Sequence, residues 1–119
     1  MREIKFRVWD YERKRMVLLN KPLYNSIRGS IDMQTQDVLS GNWKLLEYTG
    51  LKDKNGKEIY EGDICRGKKD FIYNTADIIF FIEFRNGAFR PNKTSHMRYY
   101  KQIEVIGNIY ENEELIKYE

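Results

Sequence analysis

The sequence contains a single cysteine, Cys65, and a single histidine, His96. A cysteine nucleophile needs a general base such as histidine close by, and a third group that orients the base. Cys65 lies among the apolar residues of an expected strand, and a free cysteine in such a setting is usually buried and inert. One cysteine and one histidine also fall short of the three or four ligands of a zinc site. The pattern favours a structural cysteine over a catalytic or zinc-binding one.

A group of acidic residues in the middle of the chain is the other place where chemistry could occur. Glu58, Glu61 and Asp63, together with Asp53, could hold Mg²⁺, because hard cations prefer carboxylate oxygens. Acidic residues beside turns more often cap backbone N–H groups or stay solvated. The sequence also lacks a glycine-rich loop of the kind that binds phosphates or dinucleotides. We therefore predict no catalytic residue, no metal site, no cofactor and no small-molecule substrate, and expect that the protein is not an enzyme.

The formal net charge is +3, and the excess of basic residues lies in residues 1–47. Basic side chains interleaved with aromatic rings are typical of surfaces that bind single-stranded nucleic acid weakly and without sequence preference. Such a surface would consist of Arg2, Lys5, Arg7, Trp9, Tyr11, Arg13, Lys14 and Arg15. The simpler interpretation is that these side chains form the solvated face of a hairpin. Nucleic-acid binding is therefore the alternative function and not the preferred one.

Aromatic residues are numerous, with two Trp, nine Tyr and six Phe in a chain of 119 residues. Tyr and Trp are enriched at protein–protein contacts, so we predict a non-enzymatic protein-interaction module. The candidate interaction residues are Tyr24, Trp43, Tyr73, Tyr99 and Tyr100. The alternative that stays open is that these rings only cover sheet edges. Exposed edge strands also favour pairing between copies, which makes a homo-oligomer an expected assembly.

Two Asn-Gly pairs, Asn55-Gly56 and Asn86-Gly87, predict tight hairpins. Asn and Gly tolerate the positive φ that a type I′ turn needs at both central positions. In the first hairpin, Leu51 and Ile59 are expected to face the same side. Apolar alternation predicts strands at residues 1–9 and 16–19 and a less distinct one at 31–35, with one face of the first strand exposed.

The continuous apolar run from Ile78 to Phe84 predicts an inner strand covered on both faces. Residues 67–70 are predicted to form a polar turn and residues 97–100 an extended segment. Asn112 followed by two glutamates resembles a helix N-cap, which predicts a short C-terminal helix over Leu115 and Ile116. The expected core residues are Ile64, Ile79, Phe81, Phe84, Phe89, Ile103 and Val105.

These elements together predict a mainly β fold of small antiparallel sheets or a partly open barrel, with one short C-terminal helix. The C-terminal part is analogous to small SH3-like barrels. A chain of this length can bury a core of its own. It is expected to form a single domain, 1–119, which divides into two subdomains at most, 1–47 and 48–119.

Three stretches of the sequence resemble the YopX family of phage and prophage proteins. They are REIKFRVWD at residues 2–10, TGLKDKNGKEIYEGDI at residues 49–64 and VIGNIYEN at residues 105–112. They occur in the order that the family shows and extend over most of the chain. The resemblance implies a mostly β fold and a phage or prophage origin. The interaction module predicted above is expected to form a homo-oligomer or to bind a host or phage protein. The family has no established activity and no agreed catalytic residues, so the resemblance implies no mechanism.

The compartment follows from cysteine usage and hydropathy. A single cysteine cannot form an internal disulfide, and the sequence shows neither a hydrophobic leader nor the apolar run of about twenty residues that a membrane span requires. We therefore predict a protein of the bacterial host cytoplasm that does not bind membranes.

Overall fold

The computed structural model describes residues 3–19, 41–94 and 96–116. The predicted strand at 31–35, Arg2 and Tyr24 lie outside these ranges. The strands are β1 Phe6–Asp10, β2 Arg15–Leu19, β3 Trp43–Lys52, β4 Glu58–Tyr60, β5 Asp63–Asp70, β6 Thr75–Arg85, β7 Ala88–Pro91 and β8 Lys101–Asn108. They form two small antiparallel sheets, one of which is a half-barrel, so the mainly β prediction is confirmed.

The chain divides into two compact units, Met1–Tyr48 and Thr49–Glu119. In the first unit, β1 lies between β2 and β3 and pairs antiparallel with both, so that Val8 faces Val17 on one side and Leu45 on the other. Val8 and Val17 are buried and form the centre of a small apolar cluster.

Both faces of β1 are covered, which differs from the half-exposed strand that its alternating sequence predicts. Arg7 and Trp9 are buried along with Val8. A large aromatic ring and the long aliphatic stem of an arginine can be buried as readily as an aliphatic residue. Alternation of charged and apolar residues was therefore a poor guide to the exposure of this strand.

In the second unit, a four-stranded sheet has the order β7-β6-β5-β8. The inner strand β5 places Cys65 opposite Phe80 of β6 and Val105 of β8. The buried core consists of Ile59, Cys65, Phe80, Ile82, Met97 and Tyr100, with Ile78, Phe89, Ile103 and Val105 packed against it. Ile64 is also fully buried. Four of the expected core residues, Ile64, Phe89, Ile103 and Val105, are thus found where the sequence predicts them.

The inner strand predicted for Ile78 to Phe84 is found as β6, between β7 and β5, but it is not fully covered on both faces. Phe80 and Ile82 are buried, whereas Ile79 and Phe81 are only half-buried and Phe84 is 54% exposed. Successive side chains on a strand point to opposite faces, so Ile79 and Phe81 lie on the face opposite Phe80 and Ile82. Phe84 shares the face of the buried pair but lies near the end of the strand. An uninterrupted apolar run contains no alternation from which the phase can be read.

The two Asn-Gly turns differ from each other. Asn86 and Gly87 both have positive φ, 53° and 82°, as the type I′ prediction requires. Gly56 also has a φ of 82°, but Asn55 does not adopt a positive φ. Instead the N–H of Gly56 donates to the Asp53 carbonyl at 3.0 Å. This is the pattern of a type I turn followed by a left-handed glycine, so the type I′ prediction is wrong at this turn.

Leu51 and Ile59 do not share an environment, since Leu51 is 49% exposed and Ile59 is 1% exposed. Gly50 has a φ of 89° within β3 and interrupts the regular alternation just before Leu51. The β3 and β4 segments are still linked, because the Thr49 hydroxyl donates to the Ile59 carbonyl at 2.7 Å.

Three further local predictions are corrected. Residues 67–70 continue β5 and do not form a turn, and Met97–Tyr99 form a short 3-10 helix instead of an extended segment. The predicted C-terminal helix is only a 3-10 turn, Glu113–Leu115. Asn112 does not cap this turn, because its side-chain oxygen accepts the N–H of Asn108 at 3.1 Å.

Among the described residues, no helix is long and apolar enough to cross a membrane. The SH3-like analogy stays a prediction.

Candidate interaction surface

The buried carboxylate of Asp53 holds the β3–β4 turn together. Its Oδ1 accepts the N–H of Asn55 at 2.8 Å and of Lys57 at 2.9 Å, and its Oδ2 accepts the N–H of Val105 at 2.9 Å. Burial alone would raise the pKa of Asp53, but the hydrogen bonds from Val105, Lys57 and Asn55 outweigh it and hold the pKa below its ordinary value. Both carboxylate oxygens therefore accept backbone hydrogen bonds that stabilise the fold.

Asp10 plays the same part at the β1–β2 turn. Its Oδ1 accepts the N–H groups of Glu12 and Arg13, and its Oδ2 lies 3.1 Å from Arg13 Nη1 and 3.4 Å from Arg15 Nε. Burial would raise the pKa of Asp10, but the backbone and side-chain hydrogen bonds from Arg13 and the N–H of Glu12 lower it. Part of the positive charge expected on a nucleic-acid surface is thus balanced by this carboxylate.

Asp63 and Asn108 are two further buried polar residues that bind turns, and they are paired across β5 and β8. Asp63 Oδ2 accepts the N–H of Tyr60 at 2.8 Å. Asn108 Oδ1 accepts the N–H groups of Tyr110 at 3.0 Å and of Glu111 at 2.9 Å. The buried Asp and Asn residues of all three sequence motifs therefore bind backbone N–H groups at turns. In each motif these buried side chains stabilise the turns of the fold.

The acidic residues considered for Mg²⁺ have other contacts. Asp53 and Asp63 bind backbone N–H groups, and Glu58 Oε1 accepts the Tyr60 hydroxyl at 3.3 Å. Over residues 3–19, 41–94 and 96–116, no group of three or more His, Cys, Asp or Glu side chains is arranged to hold a metal ion.

Cys65 and His96 have separate structural surroundings. Cys65 is fully buried in the core of the second unit. His96 is exposed, and its Nδ1 accepts the N–H of Arg98 at 2.9 Å at the start of the short 3-10 helix. Each residue thus has a structural role that accounts for its position.

The basic and aromatic residues predicted around the first hairpin are spread over different environments. Arg7 and Trp9 are buried, and the Trp9 ring packs edge-on against Tyr11 with 6.5 Å between centroids. Tyr11 and Lys14 are exposed, and Lys5 is half-buried. Only part of the predicted set therefore lies on the surface of the first unit.

The predicted interaction residues also separate by exposure. Tyr73 is 96% exposed, Tyr99 47% and Trp43 39%, so these rings are accessible. Tyr100 is buried and stacks on Phe80 with 4.2 Å between ring centroids. The structure places Tyr100 in the core of the second unit and not on its surface.

The most exposed apolar side chains of the described chain lie at the turn between β5 and β6. We call residues 71–74, with the sequence Phe-Ile-Tyr-Asn, the β5–β6 tip. Phe71 is 47% exposed, Ile72 90% and Tyr73 96%. Sequence analysis found Tyr73 but missed Phe71 and Ile72. The signal that could have revealed them is a run of three large apolar residues at a turn.

The base of the tip is held by several polar contacts. The N–H of Phe71 donates to the Asn74 carbonyl at 2.7 Å. Asp70 accepts the Lys101 ammonium at 2.5 Å and the Thr75 hydroxyl at 2.8 Å, and these two hydrogen bonds lower the pKa of Asp70. The tip is therefore carried by an ordered hairpin end.

The apolar side chains of the tip contribute little hydrophobic stabilisation to the folded protein. Burying an isoleucine or an aromatic side chain contributes about 1.5–3 kcal/mol relative to leaving it exposed. Ile72 and Tyr73 forgo almost all of this stabilisation, because nearly their entire surface faces solvent. A surface with three adjacent apolar residues is a candidate site for contact with another molecule.

Comparison with known proteins bears on the fold through a family model and a solved structure. A family model described as "YopX protein" matches residues 5–117. Among solved structures, the chain is similar to the crystal structure of protein EF1440 from Enterococcus faecalis, with 27% sequence identity and a TM-score of 0.71. That match covers 98% of this chain and 100% of the other. A comparison with curated proteins gives no match.

Proposed function

The chain belongs to the YopX family, and we propose that it acts as a non-enzymatic protein-interaction module. The proposal includes the origin that the resemblance implies, a phage or prophage protein that works in the cytoplasm of a bacterial host. The observation that carries it is the exposure of Ile72 and Tyr73, 90% and 96%, at the end of an ordered hairpin.

Two properties of the tip support a protein contact. Tyrosine is enriched at contact sites because a large ring with a polar end binds strongly at a small cost in side-chain entropy. A tip whose base is already held by Asp70 also loses less conformational freedom on binding than a free loop would. Tyr99 adds a second exposed ring, with the Arg98 guanidinium 5.6 Å from its centroid.

The assembly has two forms under this proposal, a homo-oligomer or a complex with a host or phage protein. Light scattering of the purified protein measures the first, and affinity capture from infected cells followed by mass spectrometry measures the second. The comparison is between the parent and a variant in which Ile72→Ser and Tyr73→Ser are combined. Phe84→Ser is a matched control, because Phe84 is 54% exposed at a different hairpin.

We expect the parent to form a defined oligomer or to retain a specific protein, the tip variant to lose that association and the control to keep it. A parent that stays monomeric and captures no protein would contradict the proposed function.

A further inference from the structure

The β5–β6 tip departs from the turn chemistry of the other strand–strand turns in the second unit. The β3–β4, β4–β5 and β6–β7 turns each contain a glycine at positive φ, namely Gly56, Gly62 and Gly87. The tip instead has Ile72 and Tyr73 at its apex, and neither adopts a positive φ. A β-branched residue offers a turn none of the advantages of Asn or Gly. Residues that break a local rule without benefit to the fold are expected at functional positions.

The size of the tip limits the kind of partner. With roughly 200 Å² for a fully exposed aromatic side chain, the three apolar residues offer on the order of 450 Å². A stable interface of ordinary size buries about 800 Å² on each partner. Contact between the tips of two copies would therefore be too small to hold a dimer. A projecting tip that enters a pocket is covered on all sides, so more of its apolar surface is buried than in a contact between two tips.

The charged side chains beside the tip indicate which charge the rim of that pocket carries. Lys68 pairs with Asp77 at 3.1 Å, and Lys101 pairs with Asp70. Lys69 lies over the Phe71 ring, 5.4 Å from its centroid. The Lys69 ammonium thus contacts an aromatic ring of the tip itself. Such a group is complementary to a carboxylate of a partner.

We propose, resting on the function proposed above, that the β5–β6 tip inserts into an apolar pocket of a different protein, with Ile72 as the central anchor and a carboxylate on the pocket rim opposite Lys69. Tyr73 lines the pocket wall beside Ile72, and Phe71 packs at its mouth below the Lys69 ammonium.

The first experiment identifies what the tip touches. The photoreactive residue benzoylphenylalanine replaces Tyr73 in the full chain, and a second version carries it in place of Phe84 as a control. Both are irradiated in a lysate of infected host cells. We expect a protein cross-linked from position 73 and not from position 84. A product from position 73 that is only a second copy, lipid or nucleic acid would overturn the proposal.

The second experiment measures affinity for that protein after purification, by calorimetry at low and high salt. Ile72→Ser is expected to weaken binding about 30-fold, as loss of an anchor residue does. Lys69→Glu is expected to weaken it about fivefold or more at low salt and to reduce the salt dependence. Phe84→Ser is the control and is expected to bind like the parent, and thermal melts of all variants check that each is folded.

The outcomes separate the two proposals. A partner that binds the parent and the Ile72→Ser variant equally well overturns the tip as the anchor and leaves the interaction module standing. Equal binding by the parent and Lys69→Glu overturns the acidic rim. Absence of any partner and any oligomer overturns both proposals.

Discussion

The Oδ2 atom of Asp53 accepts the backbone N–H of Val105 at 2.9 Å, although 52 positions separate the two residues in sequence. A second bond runs alongside, from the N–H of Lys54 to the Ile103 carbonyl at 2.8 Å. The central motif and the C-terminal motif are therefore joined through one carboxylate. This link explains why a buried charge occurs at the middle of the most distinctive stretch of the sequence.

Replacement of Asp53 should destabilise the protein because three backbone N–H groups would lose their acceptor. We expect Asp53→Ala to lower the free energy of unfolding by about 3 kcal/mol, and Asp53→Asn to lower it less because one oxygen remains. Urea denaturation measures both. Asp77→Asn is the control, since it removes a surface ion pair that contributes little. An Asp53→Ala variant as stable as the control would refute this role.

Stability should fall on acidification. The pKa values of Asp10, Asp53 and Asp70 lie below their ordinary value of 3.8 in the folded protein. The unfolded chain then binds more protons than the folded one near that pH, so this stabilisation is present above about pH 4 to 5 and is lost as the pH falls through the lowered values. Urea denaturation between pH 7 and pH 3 measures the slope. Asp53→Asn should give a shallower slope than the parent, and an unchanged slope would contradict the assignment.

Two adjacent tyrosines should respond differently to truncation. Tyr100 is buried against Phe80, so Tyr100→Ala is expected to cost about 3 kcal/mol through lost packing. Tyr99 is 47% exposed, so Tyr99→Ala should change the free energy of unfolding by no more than about 0.5 kcal/mol. Thermal and urea denaturation of the pair tests the assignment. Similar losses for both variants would mean that the two rings have been assigned wrongly.

The two hairpin glycines should resist replacement by residues with a branched side chain. Gly56 and Gly87 both have a φ of 82°, and an added Cβ would meet no atom within 4 Å at either position. Gly56→Val and Gly87→Val should therefore each cost about 1 kcal/mol or more through backbone strain alone. Gly87→Asn is the control, since Asn tolerates the left-handed conformation. Melting temperatures of the valine variants that equal that of the parent would rule out the strain.

Tip variants should leave folding intact. Ile72→Ser and Tyr73→Ser remove apolar surface that is already in solvent, so each is expected to change the free energy of unfolding by no more than about 0.5 kcal/mol. Urea denaturation measures this, with Ile82→Ser as the contrasting variant in the core. A large loss of stability in a tip variant would show that the tip packs against the rest of the chain.

Sequence reasoning succeeded where local chemistry determines the conformation. The Asn86-Gly87 turn has the predicted dihedral angles, and Ile64 and Val105 lie in or against the core as expected. It failed where the answer depends on distant residues. The partner of Asp53 is in β8, and a turn motif alone cannot reveal an acceptor role that reaches so far along the chain.

The candidate surface was predicted only in part. Tyr73 and Tyr100 are the same residue type and each is followed by polar residues in the sequence, yet one is 96% exposed and the other 6%. Packing decides between them, because Tyr100 follows a short 3-10 helix that turns its ring onto Phe80. Ile72 was missed because an apolar residue is expected to be buried unless the turn around it is recognised.

The pairing of β5 with β8 has a consequence for how the protein is made. As the chain leaves a ribosome, β6 and β7 can close their hairpin early because their contacts are local. The edge of β5 and the Asp53 carboxylate must wait for β8, the last strand of the second unit. Until then the nascent chain displays an open strand edge to its neighbours. A translation product that stops before residue 101 is therefore expected to aggregate rather than persist as a smaller folded protein.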